Sequence, residues 1–150
     1  MEKIFLLAWP IQGVLILFDE FYFHKRRGLK KWERIGHPID TFIFLGCFIY
    51  TLVSPFSESN SVIFLILAVL SCLVILKDEW VHIKECDVFE HWLHCGLFLI
   101  HPISLIGLLF VWKEDGFYEI FIQSILITLF LLHQIYYWNI KRTPHEAKGS

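Results

Sequence analysis

Five apolar runs, at residues 4–23, 35–54, 61–77, 91–112 and 117–138, are separated only by short polar clusters, and this blocked pattern limits what the chain can fold into. A helix needs about 20 mainly apolar residues to cross a bilayer, within a range of about 17–25. The third run is the shortest and is expected to continue helically as far as residue 82. Composition points the same way. The chain is 56% hydrophobic and 19% charged, with a mean hydropathy of +0.57, whereas a soluble domain shows about 25% charged residues. The expected fold is an all-α integral membrane protein of about five transmembrane helices, residues 1–140 forming one helical domain and 141–150 a polar tail. The first run ends in acids and has a weak basic start and no small-residue cleavage site, so it reads as a span rather than a leader. The expected partner is the lipid bilayer; nothing in the chain suggests a nucleic-acid groove.

Lys and Arg set the expected orientation. Eleven of the thirteen lie on one assigned side, in the loop holding Lys25, Arg26, Arg27, Lys30, Lys31 and Arg34, around Lys77 and Lys84, and in the tail. The positive-inside rule then places the N-terminus outside and the C-terminus in the cytoplasm. The six tryptophans sit near span ends, where aromatic belts belong.

With that topology, seven histidines fall in or beside the cytoplasmic halves of their spans: His24, His37, His82, His91, His94, His101 and His133. Acids gather at the same depth. A charged side chain inside a bilayer costs at least about 2.5–3.5 kcal/mol on insertion scales, so such groups face the bundle and find partners. Spacing sharpens the pattern, because Glu20–His24, Glu33–His37, Asp78–His82 and Glu90–His94 are each four apart, one face of a helix. Helical bundles build two-metal sites from such carboxylate–imidazole pairs. The expected ligands are His24, His37, His82, His91, His94, Glu20, Glu33, Glu79 and Glu90. Further ligands or supporting groups are His101, His133, Asp19, Asp40 and Asp78. No catalytic residue is assigned.

A short internal repeat runs through these residues. Asp19-Glu20, His24, Glu33 and His37 recur as Asp78-Glu79, His82, Glu90 and His94, and His37-Pro38-Ile39 recurs as His101-Pro102-Ile103. The first four spans are therefore expected to form two parallel helix-hairpin repeats, at about 4–54 and 61–112, around the polar site, with 117–138 as a fifth helix. Each element also has a plainer reading. The paired acids can neutralise the basic loop, Asp87 with Glu90 fits a helix-capping pattern, His101 can satisfy a carbonyl freed by Pro102, and His133 can be interfacial. Cys86 is an alternative zinc ligand.

Imidazole and carboxylate donors without obligate thiolate suit iron, manganese or zinc, and their number exceeds what one tetrahedral zinc uses. The expectation is two transition-metal ions, iron foremost, with zinc or manganese as alternatives. On His24, His37, His82, His91, His94, His101 and His133 the chain resembles, at the level of a class, the histidine-rich integral-membrane di-iron enzymes such as fatty-acid desaturases and hydroxylases. It departs from them in lacking an HxxHH box, in being far shorter and in its carboxylates, which look like those of ferritin-like bundles. The resemblance implies an oxidoreductase acting on a lipid-like substrate, with electrons from a cytoplasmic donor. The alternatives are a zinc-dependent membrane hydrolase, a transition-metal transporter or sensor, and a two-haem cytochrome, against which the neighbouring carboxylates weigh.

Overall fold

The computed structural model describes residues 6–79, 83 and 86–141, the side chain of Asp78 excepted, and among these the chain is helical with no strand. These described residues form five helices. Helix α1 runs Ala8–Phe18, widens into a π-helical stretch over Asp19–His24 and closes with Lys25–Arg27. Helix α2 is Lys31–Val53, and α3 is Glu58–Val74 with a 3-10 end over Ile75–Asp78. Helix α4 is Val88–Lys113, and α5 is Phe117–Ile135 with a π-helical end over Tyr136–Ile140.

Four of the five are long and apolar enough to cross a membrane: Lys31–Val53, Glu58–Lys77, Val88–Lys113 and Phe117–Ile140. The burial pattern suits a membrane protein. Leu65, Ile66, Phe42 and Leu99 point outward, while Glu20, Glu33, Glu90, Ser71 and Ser104 are fully enclosed. The expected first span, 4–23, begins outside the described residues, and its described part, within α1, is not among these four.

Helix α1 packs on α4, and α2 packs on both α3 and α5. One core joins them through Phe44 and Phe48 of α2, Phe64 of α3, Leu105 and Leu108 of α4, and Ile120 of α5. Local chemistry sets the ends. Ser57 accepts the Asn60 N–H at the start of α3, and Asp87 accepts the Glu90 N–H at the start of α4, satisfying amides that a first turn leaves open. Gly28, at φ +78°, makes the sharp turn into α2, in a region L side chains rarely adopt. Pro38 lies inside α2 and has no N–H to give the Arg34 carbonyl. The Asn139 side chain donates to that carbonyl instead, at 3.1 Å, tying the end of α5 to the proline step.

Not all the tryptophans form a belt. Trp32 and Trp92 are exposed, but Trp9, Trp112 and Trp138 are buried, donating their indole N–H groups to Ser104 O, Ser54 O and Glu20 respectively. Buried indoles find acceptors because an unpaired N–H in an apolar interior is costly. Trp80 lies outside the described residues.

Candidate metal centre

The end of α1, the start of α2, the start of α4 and the end of α5 meet at one end of the bundle. The π-helical stretch explains how α1 serves this meeting. A wider turn brings residues five apart, as well as four apart, onto one face. His24 accordingly has Glu20 at its Nδ1 (3.3 Å) and Asp19 at its Nε2 (3.1 Å). All three side chains are buried.

Asp19 also reaches across to α4, where its carboxylate oxygens stand 3.1 and 3.2 Å from His94 Nε2. Glu90, one turn before His94, places Oε1 4.0 Å from His24 Nε2. Asp19, His24, Glu90 and His94 thus form one buried group, with one donor atom from each lying within 4.8 Å of all the others. Metal–donor bonds of about 2.0–2.2 Å put donors on opposite sides of an ion about 4 Å apart. Small side-chain shifts would close this group around one cation.

Around it stand further groups. His37 stacks on His24 with ring centroids 4.8 Å apart, and His133 of α5 approaches Glu20 at 3.6 Å. Trp138 donates to Glu20 from the other side. Arg27 holds the acids behind the group: its guanidinium meets both oxygens of Glu33, at 2.7 and 3.0 Å, and Glu90 Oε1 at 2.9 Å. This two-pronged contact suits a planar guanidinium. Glu33 also accepts the Lys30 N–H at the start of α2. Among the described residues, the buried carboxylates Asp19, Glu20, Glu33 and Glu90 gather at one place, with the Arg27 guanidinium paired to Glu33 and Glu90. Buried charge of one sign is expensive unless compensated, and a bound cation would supply that compensation.

The other expected ligands lie elsewhere or outside view. His91 pairs with Glu79 at 3.7 Å near the surface, both side chains roughly a third exposed. Asp40 binds Lys77 at 2.6 and 2.7 Å. His101, two turns above His94, meets Gln12 and Ser71 at 3.0 and 2.9 Å. Ser71 is thus a partner for His101, but the tie comes from tertiary packing and Pro102 gives no reason for it. His82 and the side chain of Asp78 lie outside the described residues. Asp87 caps α4 through the Glu90 backbone, which leaves the Glu90 carboxylate to Arg27 and the buried group, so capping and site geometry coexist. Burial, and then the Glu90 carboxylate, push the Cys86 thiol well above its usual range, which disfavours a free thiolate there.

Sequence spacing pointed away from Arg27 and Trp138, which read as loop charge and interfacial ring. Gln12 was the one legible omission: an amide midway along an apolar run needs a partner.

The donor group faces a cavity. Asp19, Glu20, His24, His37, His94 and His133 line one end of a space of about 790 Å³ whose remaining walls are largely apolar. No family model matches this chain, and neither a curated protein nor a solved structure gives a match. What fold and site define is therefore a class: an all-helical chain with four helices fit to cross a membrane and a buried Asp/His/Glu/His group that can hold a metal ion.

Proposed function

We propose that this chain is a membrane metalloenzyme, an oxidoreductase whose His/carboxylate centre holds iron and acts on a lipid-like molecule in the adjoining cavity. The observation that carries the reading is the placement of Asp19, His24 and His94 at the end of an apolar space of about 790 Å³. That volume lies within the roughly 300–1,000 Å³ of small-molecule sites. Two imidazoles with one or two carboxylates are the donor set of non-haem iron oxygenases, which leave positions open for dioxygen. The first ion would take Asp19, His24, Glu90 and His94. A second, making the centre di-metal, would draw on Glu20, His37 and His133 around it.

The chain's own residues have definite tasks in this reading. Glu20 bonds to His24 Nδ1 while Asp19 stands 3.1 Å from its Nε2, and Trp138 in turn donates to Glu20. Arg27 pairs with Glu33 and Glu90 behind the donor group and offsets their charge. The apolar wall excludes water from the reacting carbon. Iron supplies oxidation by dioxygen when bound. Net insertion of one oxygen into a C–H bond consumes dioxygen, two electrons and two protons and releases water. The electrons come from a donor on the basic, cytoplasmic face, where we place the site.

The test is metal analysis of protein purified with and without air, followed by stopped-flow mixing of reduced, iron-loaded protein with oxygen. Bound iron and a new ultraviolet–visible absorbance are expected. Native zinc with no spectral change would replace the reading with a hydrolase or metal-handling role.

A further inference from the structure

The cavity is not a sealed pocket. Helix α1 packs on α4, and α5 on α2, while among the described residues α1 and α5 touch sparsely. The space between them is lined by Val14 and Leu17 from α1 and Leu126 and Leu129 from α5, all of which are substantially exposed. Helices α1 and α5 meet at the site end, where the Phe21 ring lies tilted against His133, centroids 5.1 Å apart, and Trp138 reaches Glu20. At the other end Trp9 is buried and held to Ser104 O, making a fixed floor. The slit opens sideways, where lipid chains lie.

A cation stands beside its donor-group end, over the lining residue Phe21. Lys25 Nζ sits 4.5 Å from the Phe21 ring and 5.2 Å from the Tyr137 ring, above the meeting of α1 and α5. It is exposed, and among the described residues it meets no carboxylate. From Trp9 to His24 the helical rise gives about 22 Å, longer than the hydrocarbon half of a bilayer at about 15 Å. The slit is thus long and apolar, with the Lys25 ammonium near its donor-group end.

We propose that the gap between α1 and α5 is a lateral portal for a free long-chain fatty acid, its carboxylate on Lys25 and its chain running toward Trp9. One slot takes one chain, and one lysine matches one monoanion. This seats the carbons nearest the head group beside Asp19, His24 and His94. The inference rests on the metalloenzyme reading for what becomes of the chain, while the binding itself does not require it.

Gly13 offers a clean test, since it lines the slit and a Cβ there meets nothing within 4 Å. The full-length protein in nanodiscs is exposed to a fatty acid bearing a photoreactive diazirine near its tail, and adducts are mapped by mass spectrometry. Adducts on α1 and α5 between Pro10 and Leu17 and between Gln123 and Phe130 are expected. Gly13→Trp should cut labelling at least fivefold with metal content unchanged. Lys25→Gln should weaken the fatty acid several-fold but not the fatty alcohol of equal length. Labelling spread evenly over the outer faces of α3, or a Gly13→Trp variant that labels as wild type, overturns the portal. Labelling of the slit in protein that holds no metal when purified with or without air keeps the portal and sinks the metalloenzyme reading; bound iron with no slit labelling does the reverse.

Discussion

Asp19 on α1 stands 3.1 Å from Nε2 of His94 on α4, both buried, across a sequence separation of 75 residues. The contact binds two helices through groups that a membrane interior penalises when unpaired. It is also the line on which a shared cation would lie, since His24 and Glu90 flank it.

His24→Ala and His94→Ala should each lower the metal content of the purified protein and its thermal stability. Metal bound only to the folded state stabilises it, so losing a ligand removes that increment. His91→Ala should change neither, because His91 pairs with Glu79 near the surface. Metal analysis and a melting curve on the three variants decide it. Full metal content in both His24→Ala and His94→Ala would remove the four-residue site.

The helical class and the polar end of the bundle could be read from the blocked hydropathy and the four-residue pairs. The exact donor group could not. An α-helical ruler pairs Glu20 with His24 and relegates Asp19, but the π-helical stretch places both acids on the one ring. The ruler likewise puts His101 on the His94 stripe, which is true of direction but not of depth. His101 lies beside Phe44, two turns above His37, and bonds to Gln12 and Ser71. Arg27 counted as loop charge because a charge tally has no record of where a side chain turns. Only the Gly28 bend brings α2 close enough for Arg27 to reach Glu33.

Trp138→Phe should destabilise the protein by about 1–3 kcal/mol, the cost of leaving a buried acceptor without its donor. The ring volume is partly kept, so the loss falls on the Glu20 carboxylate that the indole N–H serves. Chemical denaturation in detergent reads the change. An unaltered midpoint would mean that Glu20 gains nothing from the indole.

Gly116→Ala should cost about 1–3 kcal/mol as an overpacking substitution. A Cβ at Gly116 would overlap the Val111 side chain and press on its carbonyl, in the tight turn between α4 and α5. Gly46→Ala, where a Cβ meets nothing within 4 Å, should be nearly neutral. The two melting temperatures are the comparison, and equal values would contradict the turn geometry.

The proposed reaction has the basic loop and the tail in the cytoplasm, an expectation that rests on eleven of thirteen Lys and Arg lying on one assigned side. Cysteines introduced at Gly28 and Ser150 should then resist an impermeant thiol reagent in intact cells, while one at Ser57 should label. The opposite pattern would put the buried donor group on the outer face and remove the cytoplasmic electron source from the proposed reaction.

Arg27→Met separates the two roles of the guanidinium. Without metal, the variant leaves Glu33 and Glu90 enclosed and without their shared counter-charge. Breaking one side of a buried pair costs about 3–5 kcal/mol. The Arg27 side chain is 19% exposed, so a loss nearer about 2–3 kcal/mol is expected after screening. With metal the sign changes. Arg27 and a cation compete for the Glu90 carboxylate, which is within 2.9 Å of the guanidinium and within the four-residue donor group. Removing the competitor should tighten metal binding several-fold and return much of the lost stability when metal is added. Calorimetric titration of apo wild type and Arg27→Met, each followed by thermal unfolding with and without metal, measures both effects. Weaker metal binding in the variant would show that Arg27 orients Glu90 for the cation rather than withholding it.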